Sequence, residues 1–186
     1  MQELSDTDLI TATLSGSSKA FGVLVVRYER AVAAAVCGML GRGDDADEVG
    51  QQVFIRFFDA LAQFRGESSV KTYLTRIAIN LSLNELERRK RRQERTRPLE
   101  DISETLFDAD ASPETSIQAH LDNSIVEQAL MRLSEEMREV VVLRLMSGYS
   151  TEETAEMLAI PVGTVLSRLS LARKKLRALL SPYFGE

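Results

Sequence analysis

The stretch YSTEETAEMLAIPVGTVLSRLSL, Tyr149 to Leu171, decides how the rest of the chain is read. Ser150-Thr-Glu-Glu153 is a capping box: a hydroxyl and, three residues later, a carboxylate that together satisfy the free amides of a helix start. The helix it opens runs to Leu158, where Ala159-Ile-Pro161 forces a turn. A second helix then extends from Val162 to Leu180. Ala155 is small, as two closely crossing helices require, and Leu158 and Ile160 flank the turn. Val165 and Leu169 supply the apolar stripe that docks the second helix on the first. Thr164, Ser167, Arg168, Leu171 and Arg173 are left for the outer face. This pattern is a helix-turn-helix, whose second helix would lie in a DNA major groove and offer that row to bases and phosphates. Thr164 suits a contact at the helix start, and Arg168 a bidentate contact to guanine. Arg173, Lys174, Lys175 and Arg177 suit phosphates. An ordinary helical hairpin is the plainer alternative.

Charge bears on that choice. The chain has a net charge of -5, which taken alone argues against nucleic acid. The charge is blocked, however. Glu87 to Arg97 holds seven basic residues against two acidic ones, and Val162 to Leu180 holds five basic residues and no acid. Between them, Leu99 to Asp122 is acidic and lacks Lys and Arg. Two basic patches around an acidic spacer suit a two-point contact with a polyanion, whereas two solvated helix faces would look the same by charge alone.

Upstream, apolar residues recur at helical spacing in four segments. Ser5 caps a helix to Leu14, and Gly16-Ser-Ser breaks it. Ala20 to Leu40 follows, then a Gly41-Arg-Gly-Asp-Asp loop, then Asp44 to Phe64, in which Phe54, Phe57 and Phe58 are expected to pack in the core. Arg65-Gly-Glu-Ser-Ser is the next break, before a long helix from Val70 to about Arg95. After the linker, helices are expected over Ile117 to Leu133 and Glu135 to Ser147, ended by Gly148. The fold class is therefore all-α. A four-helix domain spans residues 1–96, a flexible acidic linker 97–116, and the helix-turn-helix domain 117–186. Fully extended, the stretch from Arg97 to His120 reaches about 80 Å, enough to hold two separate DNA contacts.

Composition narrows the function classes. Hydrophobic residues make up 44%, as in a globular fold. No apolar run approaches the roughly 20 residues of a membrane span, and the acidic, polar start is unlike a signal peptide, so a cytoplasmic protein without membrane insertion is expected. The single cysteine, Cys37, reads as a small buried apolar residue, and the single histidine, His120, as a solvated residue at a helix end. Neither sits in a catalytic or metal-ligating motif, and there is no Gly-rich phosphate loop. No enzyme activity, cofactor or metal is expected.

Over nearly its whole length the chain resembles the sigma-70 superfamily of bacterial RNA polymerase sigma factors, in the extracytoplasmic-function group. Ala20 to Tyr28 is similar to that family's opening helix; Asp47-Glu-Val-Gly-Gln-Gln-Val-Phe54, with Ala60-Leu and Phe64-Arg-Gly-Glu-Ser68, resembles its polymerase-binding helix and the loop after it. Lys71-Thr-Tyr-Leu-Thr-Arg-Ile-Ala-Ile-Asn80 resembles the helix that engages the −10 promoter element, and Leu133 to Leu176 the −35-binding helix-turn-helix. The resemblance implies core RNA polymerase, promoter DNA and an anti-sigma factor as partners. It implies core-polymerase contacts at Glu48, Gln51, Gln52, Phe54, Arg56 and Leu61. For −10 DNA it implies Arg65, Lys71, Tyr73, Arg76, Asn80, Asn84 and Arg88, with Arg88 to Arg92 on phosphates. A melted base needs aromatic and polar groups to hold it and cations for its strand, and this stretch carries both. For −35 DNA it implies Thr164, Ser167, Arg168, Leu171, Arg173 and Lys174. Tyr73 stands where the family usually has Trp, Gly50 and Gln52 where it has aliphatic and acidic residues, and Leu166 and Leu171 where it often has basic ones. A stand-alone helix-turn-helix regulator is the competing reading, but the first half shows no βα alternation for a receiver domain. A helical adaptor for protein partners is a third, against which the acid-free last helix counts.

Overall fold

The computed structural model describes residues 4–96 and 117–184, and their side chains over 4–95 and 124–183. The described residues contain no strand. Their helices are α1 (Asp6–Leu14), α2 (Ser18–Leu40), α3 (Asp44–Ala60), α4 (Val70–Thr96), α5 (Ile117–Met131), α6 (Glu135–Val141), α7 (Thr151–Leu158) and α8 (Val162–Phe184). Residues 97–116, expected as the linker, and the side chain of His120 lie outside the described residues.

Local chemistry places the helix starts. Ser5 caps α1 in a box with Asp8, Ser17 caps α2, and Ser69 Oγ accepts the Thr72 amide at 3.1 Å to open α4. Ser150 does the same for α7: its Oγ accepts the Glu153 amide at 3.0 Å while its own amide donates to Glu153 Oε2 at 2.6 Å. Such caps contribute about 1 kcal/mol each. Three details differ from the reading of the sequence. α3 stops at Ala60 and tightens into a 3₁₀ turn over Leu61–Gln63, so that Phe64 leaves the helix with extended backbone. The helix expected to run to Ser147 widens into a π-turn over Val142–Met146. α8 continues past Leu180 to Phe184, with Pro182 inside it.

The first domain packs α1 to α4 around Phe57, which is fully buried, with Leu9, Leu24, Met39, Val53 and Leu74. Phe58 is not in this core. It faces outward, 52% exposed, because one further residue turns it about 100° around the helix. Cys37 is only half-buried, at the core's margin; burial pushes its thiol pKa up, so it is a poor nucleophile. The second domain has its own smaller core: Leu130, Leu133, Val140, Val141, Ala155, Val165, Leu169 and Ala172.

The π-turn is where the chain changes cores. Val140 and Val141 belong to the second, whereas Val142, Leu143 and Tyr149 are buried in the first. The domains are thus in direct contact along α2. Gly38 makes this possible: a Cβ there would lie 2.8 Å from Val142 Cγ2 and 3.0 Å from Met146 Sδ. Arg138 clasps the seam. The residue is 6% exposed, and its guanidinium donates to the carbonyls of Leu130, Met131 and Leu133 around the α5–α6 corner, and at 2.7 Å to the Met39 carbonyl of α2. Glu127 closes the other end, its carboxylate accepting the Arg42 amide.

Candidate nucleic-acid interface

Helix α3 turns Ala46, Val49, Val53 and Phe57 inward and leaves an outer row open to solvent. Glu48, Gln51, Gln52 and Arg56 stand on that row, as expected. Phe54 is half-buried against the core, and Leu61, only 2% exposed, is a core residue in the 3₁₀ turn that cannot reach a partner. Sequence reading missed Ile55, which is 51% exposed, and misassigned Phe58. Together with Gln51 and Gln52 they form an uncharged, partly apolar strip of the kind found at the centre of protein interfaces. A missed residue of this kind carries a signal only in retrospect: Ile55 lies two positions from Val53 and Phe57, off the buried stripe. Gly50 has no atom within 4 Å of where its Cβ would be, so its cost is the helix propensity of about 1 kcal/mol rather than lost packing.

On α4, Asn80, Asn84 and Arg88 are exposed, as is Arg65 in the preceding loop. Tyr73 is half-buried between Phe57 and Phe64, its ring centroid 5.9 Å from that of Phe57 and 5.2 Å from that of Phe64, which are themselves 6.2 Å apart. Its ring is therefore a wall of the core as much as a stacking platform. Lys71 and Arg76 face the second domain. Lys71 Nζ donates to the Ser147 carbonyl at 3.2 Å and lies 5.5 Å from the Tyr149 ring centroid, while Arg76 pairs with Glu156 at 3.6 Å. Tyr149 itself donates to Thr75 at 3.0 Å, buried. Sequence reading placed Tyr149 at the head of the helix-turn-helix; its tertiary role is as a plug in the first domain.

The basic end of α4 is more structured than its composition implies. Glu85, nearly buried, pairs with Arg88 at 2.9 Å and Arg92 at 2.8 Å. Arg89 is turned inward, bonding Asp45 at 2.8 Å and the Leu40 carbonyl at 3.1 Å. It ties α4 to the α2–α3 loop, so of the Arg88–Arg92 run it is the residue with least reach to a phosphate. Lys90 and Arg91 remain exposed.

The helix-turn-helix has the expected geometry. α7 and α8 meet at 105°, within the range of this motif. Ala159 closes α7 in left-handed conformation (φ 53°). Val165, Leu169 and Ala172 are buried, and Ser167, Leu171, Arg173 and Lys174 are exposed on the far side. Thr164 is half-buried. Arg168 is not a free outward side chain: it is 27% exposed and its Nη1 donates at 2.9 Å to Glu139 Oε1 on α6.

Burial pushes the Glu139 carboxyl pKa up to about 7, Arg168 offsets this in part, and Glu136 and Glu135 add to it. The folded protein therefore holds a proton that the unfolded chain releases near the ordinary carboxylate value. That contribution to stability is present at pH 4.5 and is lost as pH rises through about 7. We expect the thermal midpoint of the second domain to fall between about pH 4.5 and pH 7 and to level off above, and Glu139→Gln to flatten this dependence; an unchanged slope in the variant would assign it elsewhere.

Known proteins share this arrangement. The family profile described as Sigma-70 region 2 matches residues 24–92, and that of Sigma-70, region 4 matches residues 124–176. The ECF RNA polymerase sigma-E factor of Escherichia coli (strain K12) is 34% identical over 97% of this chain and 97% of that one. The RNA polymerase sigma-H factor of Pseudomonas aeruginosa is 32% identical over 97% of this chain and 96% of its own length. The solved structure of CnrH in complex with the cytosolic domain of CnrY superposes with a TM-score of 0.65 at 30% identity, covering 94% of this chain and 96% of that one.

Proposed function

The chain belongs to the sigma-70 family of RNA polymerase sigma factors, in its extracytoplasmic-function group, and from that premise we propose how its surfaces divide the work of promoter-directed initiation. Residues 1–96 form the unit that binds core RNA polymerase and the −10 element, 97–116 the connecting segment, and 117–186 the unit that binds the −35 element. The observation that carries this reading is the order of three solvent-facing rows in one chain: an uncharged strip on α3, a polar and basic row on α4, and an acid-free basic helix α8. A stand-alone regulator would need only the last.

The chemistry asked of each surface is modest. A sigma factor holds polymerase in place, positions the promoter and stabilises an unstacked base and its single strand. On α4, Asn80 and Asn84 can hydrogen-bond base edges, Tyr73 and Phe64 offer aromatic faces, and Arg65, Lys71, Arg76 and Arg88 supply cations for the strand. On α8, Arg173 and Lys174 suit backbone phosphates. Lys71 and Arg76 are held by the second domain in this arrangement, so promoter engagement requires α7 and the Ser147–Tyr149 segment to leave the first domain. CnrH is solved with the cytosolic domain of CnrY; for this chain too we infer a regulatory protein partner, an anti-sigma factor.

The test is co-elution of the full chain with core RNA polymerase on a sizing column. Wild type should co-elute. Ile55→Glu, at an exposed position, should shift thermal stability by no more than about 0.5 kcal/mol yet weaken core binding at least tenfold, about 1.4 kcal/mol, if the strip is the centre of the interface. Undiminished binding by the variant would move the interface off α3.

A further inference from the structure

The base-reading end of α8 carries almost no charge. In a helix-turn-helix, the residues near the start of the second helix contact base edges. Here the exposed residues in the first turns after Gly163 are Leu166, Ser167, Ser170 and Leu171. Leu166 is 54% and Leu171 55% exposed, unusual for leucines on a basic helix. The pairs Leu166–Ser170 and Ser167–Leu171 each stand four residues apart, so the four side chains make one contiguous patch. Arg168, the sole charged residue among them, is drawn aside onto Glu139 at 2.9 Å. Arg173 and Lys174 follow one turn later, exposed, at the edge of the patch.

Guanine presents acceptors in the major groove, and selective contact to it asks for a free Arg or Lys; adenine asks for Asn or Gln. The patch has neither. The one apolar group that duplex DNA exposes in the major groove is the C5-methyl of thymine, and serine hydroxyls accept or donate to any base. We propose that Leu166 and Leu171 read thymine methyl groups in the upstream promoter element, with Ser167 and Ser170 between them and Arg173 and Lys174 on the flanking phosphates. The occupant follows from two features: the patch is continuous with the basic surface that takes the phosphates, and its exposed apolar area needs an apolar partner in an otherwise polar groove. This inference rests on the assignment of α8 to the −35 element.

The test uses holoenzyme reconstituted from the full chain and core RNA polymerase. Promoters randomised in the upstream element are selected for binding, and each thymine in the selected element is then replaced by deoxyuridine, one strand at a time. That change removes only the methyl. Thymines should be enriched on one or both strands, and each deoxyuridine under the patch should weaken binding about three- to fourfold. Leu166→Ala and Leu171→Ala should each become insensitive to deoxyuridine at one position while still binding the promoter. If scrambling the selected element abolishes binding but deoxyuridine does not, methyl reading is overturned and the −35 assignment stands. If scrambling has no effect, the −35 assignment itself fails, and the inference with it.

Discussion

Arg138→Ala is expected to destabilise the second domain by about 3–5 kcal/mol and to loosen its hold on the first. The guanidinium fills a site where four backbone carbonyls converge, those of Leu130, Met131, Leu133 and Met39. Hydrogen bonds from a charged donor contribute about 1.5–3 kcal/mol each, and carbonyls left buried without a donor cost about 1–3 kcal/mol apiece. Some of that cost is recovered where water enters, so the loss is smaller than the sum. Arg138→Lys should recover little, since a single ammonium cannot span a planar fork of acceptors. Thermal unfolding followed by circular dichroism reads the first effect. Limited proteolysis reads the second, as faster cleavage near the seam in the variant. A loss under about 1 kcal/mol would mean that the carbonyls are hydrated in solution and that the clasp is weak.

Phe57→Ala is expected to cost about 3–5 kcal/mol in the first domain, the usual range for removing a buried aromatic ring. Phe57 is fully buried and its ring lies 6.2 Å from those of Phe21 and Phe64 and 5.9 Å from that of Tyr73. The consequence reaches the −10 surface, because Tyr73 and Phe64 then lose the wall that sets their angle. At a temperature where the variant is still folded, promoter opening should fall more than core binding, since Tyr73 and Phe64 touch the Phe57 ring directly whereas the outer row of α3 meets it only through Phe58 on Phe21. Permanganate reactivity of promoter thymines measures opening, and co-elution measures core binding. An equal loss in both would show a general collapse of the domain instead.

The places where sequence reading and structure diverge have a common cause. The capping box at Ser150, the turn at Ala159-Ile-Pro161 and the stripe of Val165 and Leu169 were legible because each depends on neighbours within one or two turns. So were the helix starts at Ser5 and Ser17. Phe58 and Leu61 were read the wrong way round, one as core and one as contact, because both are large apolar residues near a helix end. Their places follow which stripe of α3 the core buries: Leu61 lies four residues after the buried Phe57 and continues its stripe, whereas Phe58 falls about 100° to the side. Arg168 shows the same limit for charge: its position on α8 follows from the sequence, whereas its pairing follows from Glu139, 29 residues away, on a helix that packs beside it.

From the sequence by itself came the all-helical class, the two basic blocks, the helix-turn-helix and the family. The first three rest on residue type and on spacing within a segment, where the 3.6-residue period and the chemistry of caps and turns dictate the outcome; the family rests on the resemblance of several linked segments to known sigma factors. The tertiary structure alone decided that Tyr149, Val142 and Leu143 bury themselves in the first domain, that Gly38 leaves the room Val142 and Met146 occupy, and that Lys71 and Arg76 are held by the second domain. It also decided which of the five basic residues from Arg88 to Arg92 remain open to a phosphate. These are contacts between residues tens of positions apart, and no local period encodes which surface a half-apolar helix will find.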